Sequence, residues 1–235
     1  MTETRRNLLI ASLAPFTLFV LLGVAANNGW LGTAQLDSPS AGIRGWAAEQ
    51  PWLEGTLLAV EELFATQGLT IATLVVVGVL VLRRQFRAGA LVLAVMLAAR
   101  ELTQHTKELF GRDRPAWQDA DFLHQAASYP SGHATGVATL GGLMIVLTLL
   151  HRRGRMNLRP VTALVSVVVL IVCVDRLMLG RHYPTDLVGG VLLATGLVLL
   201  GTGLLAPLAD RTPAADDAEE PVTVPADREE ELAAR

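Results

Sequence analysis

The sequence predicts an all-α integral membrane bundle of six transmembrane helices, and three observations carry that expectation. Hydrophobic residues make up 51% of the 235 positions, and mean hydropathy is +0.44, more apolar than a soluble domain of this length. Six segments approach the roughly 20 apolar residues that a helix needs to cross about 30 Å of hydrocarbon. Within them, Leu74–Leu82 and Val161–Val174 carry almost none of the polar stripe that a soluble helix shows at helical period.

In chain order the predicted spans cover residues 7–26, 62–82, 88–108, 132–150, 161–180 and 185–206. Arg5 and Arg6 precede the first span. Arg83, Arg84 and Arg87 join the second to the third, and Arg152, Arg153, Arg155 and Arg159 join the fourth to the fifth. The positive-inside rule makes these stretches cytoplasmic, and with them both termini. Trp30, Trp46, Trp52 and Trp117 fall in the opposite connections, where interfacial indoles are expected. A cleaved signal peptide is the alternative for the N-terminal run; the length of the run and the lack of a clear small-x-small pattern after it argue against that.

Between the first two spans, residues 40–68 mix Trp46, Trp52, Leu57 and Leu58 with Glu49, Glu54, Glu61 and Glu62. That is the pattern of an outer interfacial helix running into the second span, either sheltering a lipid entrance or anchoring the surface. The membrane domain is expected over residues 1–208. Residues 209–235 are expected to form a disordered acidic cytoplasmic tail, since from Asp210 onward nine acids stand against three bases, with Pro213, Pro221 and Pro225 among them. The lone Cys173 lies in the fifth span and has no second cysteine with which to form an internal disulfide. No Gly-rich nucleotide loop, internal repeat or nucleic-acid-binding pattern is present.

Three short stretches carry the chemistry: Lys107-x6-Arg114-Pro115, Pro130-Ser131-Gly132-His133 and Arg176-x5-His182-x3-Asp186. In the predicted topology all three meet on the outer face. Charged residues are scarce elsewhere in the spans, and snorkelling anchors explain neither the Pro-Ser-Gly-His turn nor the His-x3-Asp pair. Pro130 suits a first helical turn, Gly132 admits a ligand close to the backbone, and the free N–H groups at the helix start form an anion site. Pro184 plays the matching part for the sixth span, which puts His182 just before the helix and Asp186 in its first turn. There the carboxylate can hold one ring nitrogen and leave the other as a lone-pair donor. Lys107, Arg114 and Arg176 supply three positive charges for a phosphoryl group in transfer, whose charge spreads over three equatorial oxygens. His133 is then placed to protonate the departing alkoxide.

With these motifs the chain resembles the type 2 phosphatidic acid phosphatase superfamily, which includes bacterial lipid phosphatases and vanadium haloperoxidases. The family pattern is Lys-x6-Arg-Pro, Pro-Ser-Gly-His and Ser-Arg-x5-His-x3-Asp, and the likeness extends over spans three to six. The resemblance implies phosphate binding by Lys107, Arg114, Arg176, Ser131 and Gly132. It implies His182 as the nucleophile that becomes phosphohistidine, Asp186 as its orienting carboxylate and His133 as the general acid. It also implies a six-span enzyme of the cell membrane with an outward-facing site and neither metal nor cofactor.

Asp175 departs from the pattern, standing where the family usually has serine. It is expected either to weaken the local positive potential or to tie down Arg176 or Arg100; Arg100 and Glu101, themselves unusual inside a span, are the alternative pair. Arg181 is an extra cation, either a contact for a second phosphate or an interfacial arginine. Asp119, Asp121 and His124 lack a metal-ligand spacing and read as solvated loop residues.

The expected function is hydrolysis of a phosphomonoester or terminal diphosphate on a membrane lipid, with polyprenyl diphosphate (undecaprenyl diphosphate among them), phosphatidylglycerophosphate and phosphatidic acid as candidates. Phosphotransfer onto a lipid or sugar acceptor uses the same site. A non-catalytic anion or lipid transporter is the alternative from another class, and the lack of an internal repeat weighs against it. A soluble haloperoxidase has no need of six spans. Beyond the bilayer and the lipid phosphate, the sequence implies no partner.

Overall fold

A computed structural model describes residues 3–118, 127–151 and 157–205. Asp119, Asp121, His124 and the acidic tail lie outside the described residues. Among the described residues the elements are all helices: α1 (Glu3–Asn28), α2 (Thr33–Asp37), α3 (Pro39–Ala48), α4 (Pro51–Leu63), α5 (Thr66–Leu82), α6 (Phe86–Phe110), α7 (Gly132–His151), α8 (Arg159–Met178) and α9 (Pro184–Leu205). Proline opens α3, α4 and α9 and stands second in α8, where its missing N–H costs no helical hydrogen bond. Gly111 ends α6 in the left-handed region (φ 60°), its N–H returning 2.9 Å to the Lys107 carbonyl. That turn aims the following Arg112 and Arg114 back across the end of the bundle.

Four helices, α1, α7, α8 and α9, are long and apolar enough to cross a membrane. The pair α4 and α5, meeting at a bend of 50°, makes a fifth crossing if counted together. Residues 62–82, expected as one straight span, are therefore broken. The break falls at Phe64 and Ala65, where the backbone turns extended (φ −63°, ψ 171°) before α5 begins. The sixth apolar crossing, expected in α6, is not matched by its composition. At 25 residues α6 has the length, but Arg87, Arg100, Glu101, Lys107 and Glu108 lower its hydropathy. Where one outer interfacial helix is expected between the first two spans, there are three helices, α2 to α4, with α3 and α4 packed on α8.

The centre of the bundle is α9, which packs on α1, α7 and α6. Small residues make this possible, since helices inside a bilayer associate through close packing rather than hydrophobic exclusion. A methyl at Gly196 would come within 2.8 Å of the Phe16 ring of α1, and one at Gly190 within 2.8 Å of the Ser131 carbonyl. The second contact brings the start of α9 against the start of α7. Leu13, Leu21, Ile71, Leu82, Leu164 and Leu170 face outward and exposed, the arrangement of a lipid-facing surface.

An aromatic cluster fixes the segment that leads into α7. Tyr129 is fully buried, stacks on Phe19 at 5.3 Å between centroids and meets Phe110 edge-on at 5.0 Å. Its hydroxyl donates 2.6 Å to the Phe19 carbonyl. The next peptide bond, Tyr129–Pro130, is cis. Pro130, expected inside the first helical turn, lies instead two residues before Gly132, buried, and Ser131 takes the capping position.

Candidate active site

Each predicted motif arrives at one end of the bundle on a helix terminus. Lys107 sits in the last turn of α6, His133 in the first turn of α7, Arg176 in the last turn of α8, and Asp186 in the first turn of α9. His182 precedes α9 by two residues. The starts of α7 and α9 are tied directly, the Ser131 N–H donating 3.0 Å to the Asp186 carbonyl. Ser131 Oγ in turn accepts the Ala134 N–H at 3.5 Å, a long N-cap bond.

A cavity of about 440 Å³ opens among α5, α6 and α7. Lys107, Arg114, Gly132, His133 and His182 line it together. Further from these helix ends Leu69 and Leu74 from α5 and Leu93, Met96 and Leu97 from α6 enter the lining, interleaved with Thr70, Thr73, Arg100 and Gln104. Gly132 leaves this space open, because a methyl there would meet only Thr103 Cγ2, at 3.8 Å. Lys107 Nζ donates 2.6 Å to the Ala127 carbonyl. Burial and the nearby Arg181 cation lower the pKa of Arg114, yet an arginine retains its charge.

His182 is buried, and its Nδ1 lies 3.4 Å from Asp186 Oδ2, an ion-pair approach longer than a hydrogen bond. Burial pushes the imidazole down to about 3, against the opposing pull of Asp186 and with help from the Lys107 cation. The ring is therefore neutral at physiological pH, with a lone pair available at Nε2 if Nδ1 carries the proton toward Asp186.

The structure adds partners that sequence reasoning missed. Asp186 is fully buried and accepts from Arg112 Nη1, from the Ser128 hydroxyl and, at 2.9 Å, from the Tyr183 N–H. Arg112 reaches past it to Asp37 of α2, with Nη2 2.5 Å from Oδ2, while its guanidinium covers the Tyr183 ring at 4.5 Å. Asp37 also accepts from the Thr185 N–H at 3.1 Å and hydroxyl at 2.8 Å. Burial opposes the Arg112 charge, but Asp186 and Asp37 outweigh it and raise its pKa. Arg112 had a faint signal, being a second arginine inside the first motif; Asp37 and Thr185 had none.

Arg176 is the other hub. Its Nε donates 2.9 Å to Asp175 Oδ2, its Nη2 donates to the same oxygen, and its Nη1 donates 2.8 Å to Glu61 Oε1 of α4. His133 Nε2 lies 3.5 Å from Arg176 Nη1 and 3.2 Å from the Glu61 carbonyl. Of the expected alternatives for Asp175, the tie to Arg176 is the one present. Arg100 approaches its neighbour Glu101 instead, at 4.0 Å on the exposed side of α6. Arg181 pairs with Glu61, Nε to Oε1 at 3.3 Å. Glu61, grouped in the sequence with the interfacial acids, is thus a site-facing residue.

The Asp175 tie has a measurable consequence. Asp175→Ser removes the carboxylate that Arg176 Nε and Nη2 share, so kcat/KM is expected to fall by more than about twofold and Tm by several degrees, as for loss of a buried charge-assisted pair. Unchanged activity and Tm would show that the tie has no role.

A model described as the PAP2 superfamily matches residues 88–206, which include every motif residue above. This chain belongs to the PAP2 superfamily. It is 25% identical over 190 residues to phosphatidylglycerophosphatase B of Bacillus subtilis (strain 168), a match covering 80% of this chain and 91% of that protein. It is similar in structure to a transmembrane PAP2-type phosphatidylglycerolphosphate phosphatase from Bacillus subtilis, known from a crystal structure. The TM-score is 0.66 at 25% identity, over 82% of this chain and 94% of that one. The fold is the all-α transmembrane PAP2 fold, and the protein is a multi-pass membrane protein.

Proposed function

We propose that this PAP2 protein is a membrane lipid phosphatase that hydrolyses a phosphomonoester or terminal diphosphate through a phosphohistidine intermediate. The observation that carries the reading is the cavity itself: His133, His182, Lys107 and Arg114 stand at one end of a space whose wall further on sets leucines and Met96 among threonines, Arg100 and Gln104. A phosphate on a lipid fits both ends of such a space. The likeness to phosphatidylglycerophosphatase B puts phosphatidylglycerophosphate first among the candidates, with phosphatidic acid and polyprenyl diphosphates beside it.

In the proposed reaction His182 Nε2 attacks phosphorus in line, and the bond from phosphorus to the leaving oxygen breaks. His133, as imidazolium, gives that oxygen its proton. Water then attacks the phosphohistidine while His133 takes a proton from it; the P–N bond breaks, and inorganic phosphate and free His182 result. Lys107, Arg114 and Arg176, with Ser131 and Gly132 at the start of α7, hold the equatorial oxygens. Asp186 orients His182.

In the bilayer we take α6 as a further crossing, with the bent α4–α5 pair as one, for six spans. Arg83, Arg84 and Arg87 then lie on the cytoplasmic side, together with both termini and the acidic tail. The site opens on the extracytoplasmic face. Residues 1–208 form the phosphatase domain.

The test is phosphate release by the purified protein from a panel of lipid phosphates and diphosphates in detergent, with and without vanadate and chelator. Activity on at least one lipid, blocked by vanadate and retained in chelator, is the expected result. A protein that binds these lipids and releases no phosphate from any of them would make the reading untenable.

A further inference from the structure

We propose that Arg100 is a specificity-determining residue that holds a second, diester phosphate, so that the site selects lipids whose terminal phosphomonoester is joined through a glycerol to a phosphodiester. This deepens the lipid phosphatase reading and rests on it.

Arg100 lines the same cavity as Lys107 and precedes it by seven residues on α6. That spacing is two helical turns, so both side chains leave one face of the helix, about 10 Å apart along its axis. Thr103 and Gln104 line the cavity between them, and Leu97, Met96 and Leu93 continue the lining beyond Arg100. From the catalytic end inward, α6 thus presents a cation, polar side chains, a second cation and then hydrocarbon. On α5 the cavity meets Thr66, Thr70 and Thr73 before it reaches Leu74. A lipid that carries a terminal phosphate, a glycerol, a diester phosphate and acyl chains has its groups in the same order.

Arg100 is also poorly occupied by the protein. Its Nε lies 4.0 Å from Glu101 Oε1 with both side chains largely exposed, an ion pair worth little. Among the described residues neither the Arg100 guanidinium nor the Gln104 amide makes a hydrogen bond. A cation within a membrane span is costly, and such residues mark pathways and binding sites. An arginine that only snorkels to the interface needs no place in line with Lys107 inside the cavity. Its planar fork suits two oxygens of a phosphodiester.

The comparison that isolates this contact is phosphatidylglycerophosphate against phosphatidic acid. Both offer a phosphomonoester to His182. Only the first has an anion one glycerol further on, whereas phosphatidic acid continues directly into neutral esters. The diester does not react, so its contact belongs to binding and is read in KM.

The experiment measures kcat/KM on phosphatidylglycerophosphate relative to phosphatidic acid, with full-length protein in detergent. Arg100→Gln should lower this ratio by about tenfold or more through KM, the scale of a charge-assisted hydrogen bond to phosphate. Arg100→Lys should retain part of the preference. Arg87→Gln, an exposed cation at the other end of α6, should leave the ratio unchanged. Glu101→Gln should hold or raise it. A general loss of stability lowers both members of the ratio together and does not mimic the effect. Binding of the same two lipids to His182→Ala protein gives the ratio without turnover, and adding Arg100→Gln should lower it equally.

An unmoved ratio in Arg100→Gln would overturn the proposal, as would a fall that appears in kcat alone. A fall of the same size in Glu101→Gln would do so too, since Arg100 would then act only as the partner of that acid. Wild type that releases phosphate from neither lipid would defeat the phosphatase reading instead, and the binding ratio would still decide the role of Arg100.

Discussion

Replacing His182 with alanine is expected to lower phosphate release by at least about 10³-fold, because the proposed attacking atom is lost and the remaining cations only bind. A phosphohistidine trapped by quenching the wild type during turnover should be missing from the variant. The geometry behind this is a buried ring next to a carboxylate that three other donors already hold still. If His182→Ala, folded by its thermal transition, releases phosphate at the wild-type rate, the nucleophile has been misassigned. The pH dependence gives a second reading of the same ring. Burial holds it neutral down to about 3 in the folded protein, against 6.5 for a free histidine. Protons therefore bind the unfolded chain first. The stability contribution of the neutral ring is complete above pH 6.5 and is lost progressively as pH falls toward about 3. Tm of the wild type should decline over that window, and His182→Ala should decline less steeply.

How much of this was legible in the sequence depends on how local each signal is. Lys107, Arg114, His133, His182 and Asp186 stand at fixed spacings beside apolar runs, so helix ends alone deliver them to one side of the bundle. The helix limits follow for the same reason; the predicted 132–150 and 161–180 became Gly132–His151 and Arg159–Met178. What escaped is the work of segments docking from far along the chain. Asp37 meets Thr185 across 148 positions, and Glu61 meets Arg176 across 115. Neither pairing leaves a periodicity, and the stretch that supplies Glu61 carries Trp46 and Trp52 exposed, which is why it reads as a surface helix. The bend between α4 and α5 falls just inside the predicted 62–82 span, at Phe64 and Ala65, where neither a proline nor a glycine announces it. α6 is the opposite case: its hydropathy is lowered by Lys107, which faces the site, and by Arg87, Arg100, Glu101 and Glu108, which are exposed.

Arg112→Ala is expected to be the most damaging change outside the cavity. The side chain is buried and bridges two buried carboxylates, Asp37 and Asp186. Its removal leaves both carboxylates buried without the guanidinium that bridges them. Breaking a buried pair by deleting one partner costs about 3–5 kcal/mol, far more than an exposed ion pair is worth. A large fall in Tm should result, together with a loss of kcat at temperatures where the variant remains folded, since Asp186 loses the donor that sets its position beside His182. Arg112→Lys should recover only part of each, because an ammonium cannot present two separate N–H edges to two carboxylates. Asp37→Asn separates the two consequences. It releases the far end of the bridge while Arg112 and Asp186 keep their pair, so it should lower Tm with a smaller loss of kcat than Arg112→Ala. Equal kcat losses in the two variants would mean that the bridge as a whole, and not the Arg112 contact with Asp186, sustains the reaction. Wild-type Tm and kcat in Arg112→Ala would show that neither carboxylate depends on it, and the orienting role of Asp186 would then lack the rigid support that the buried pair supplies.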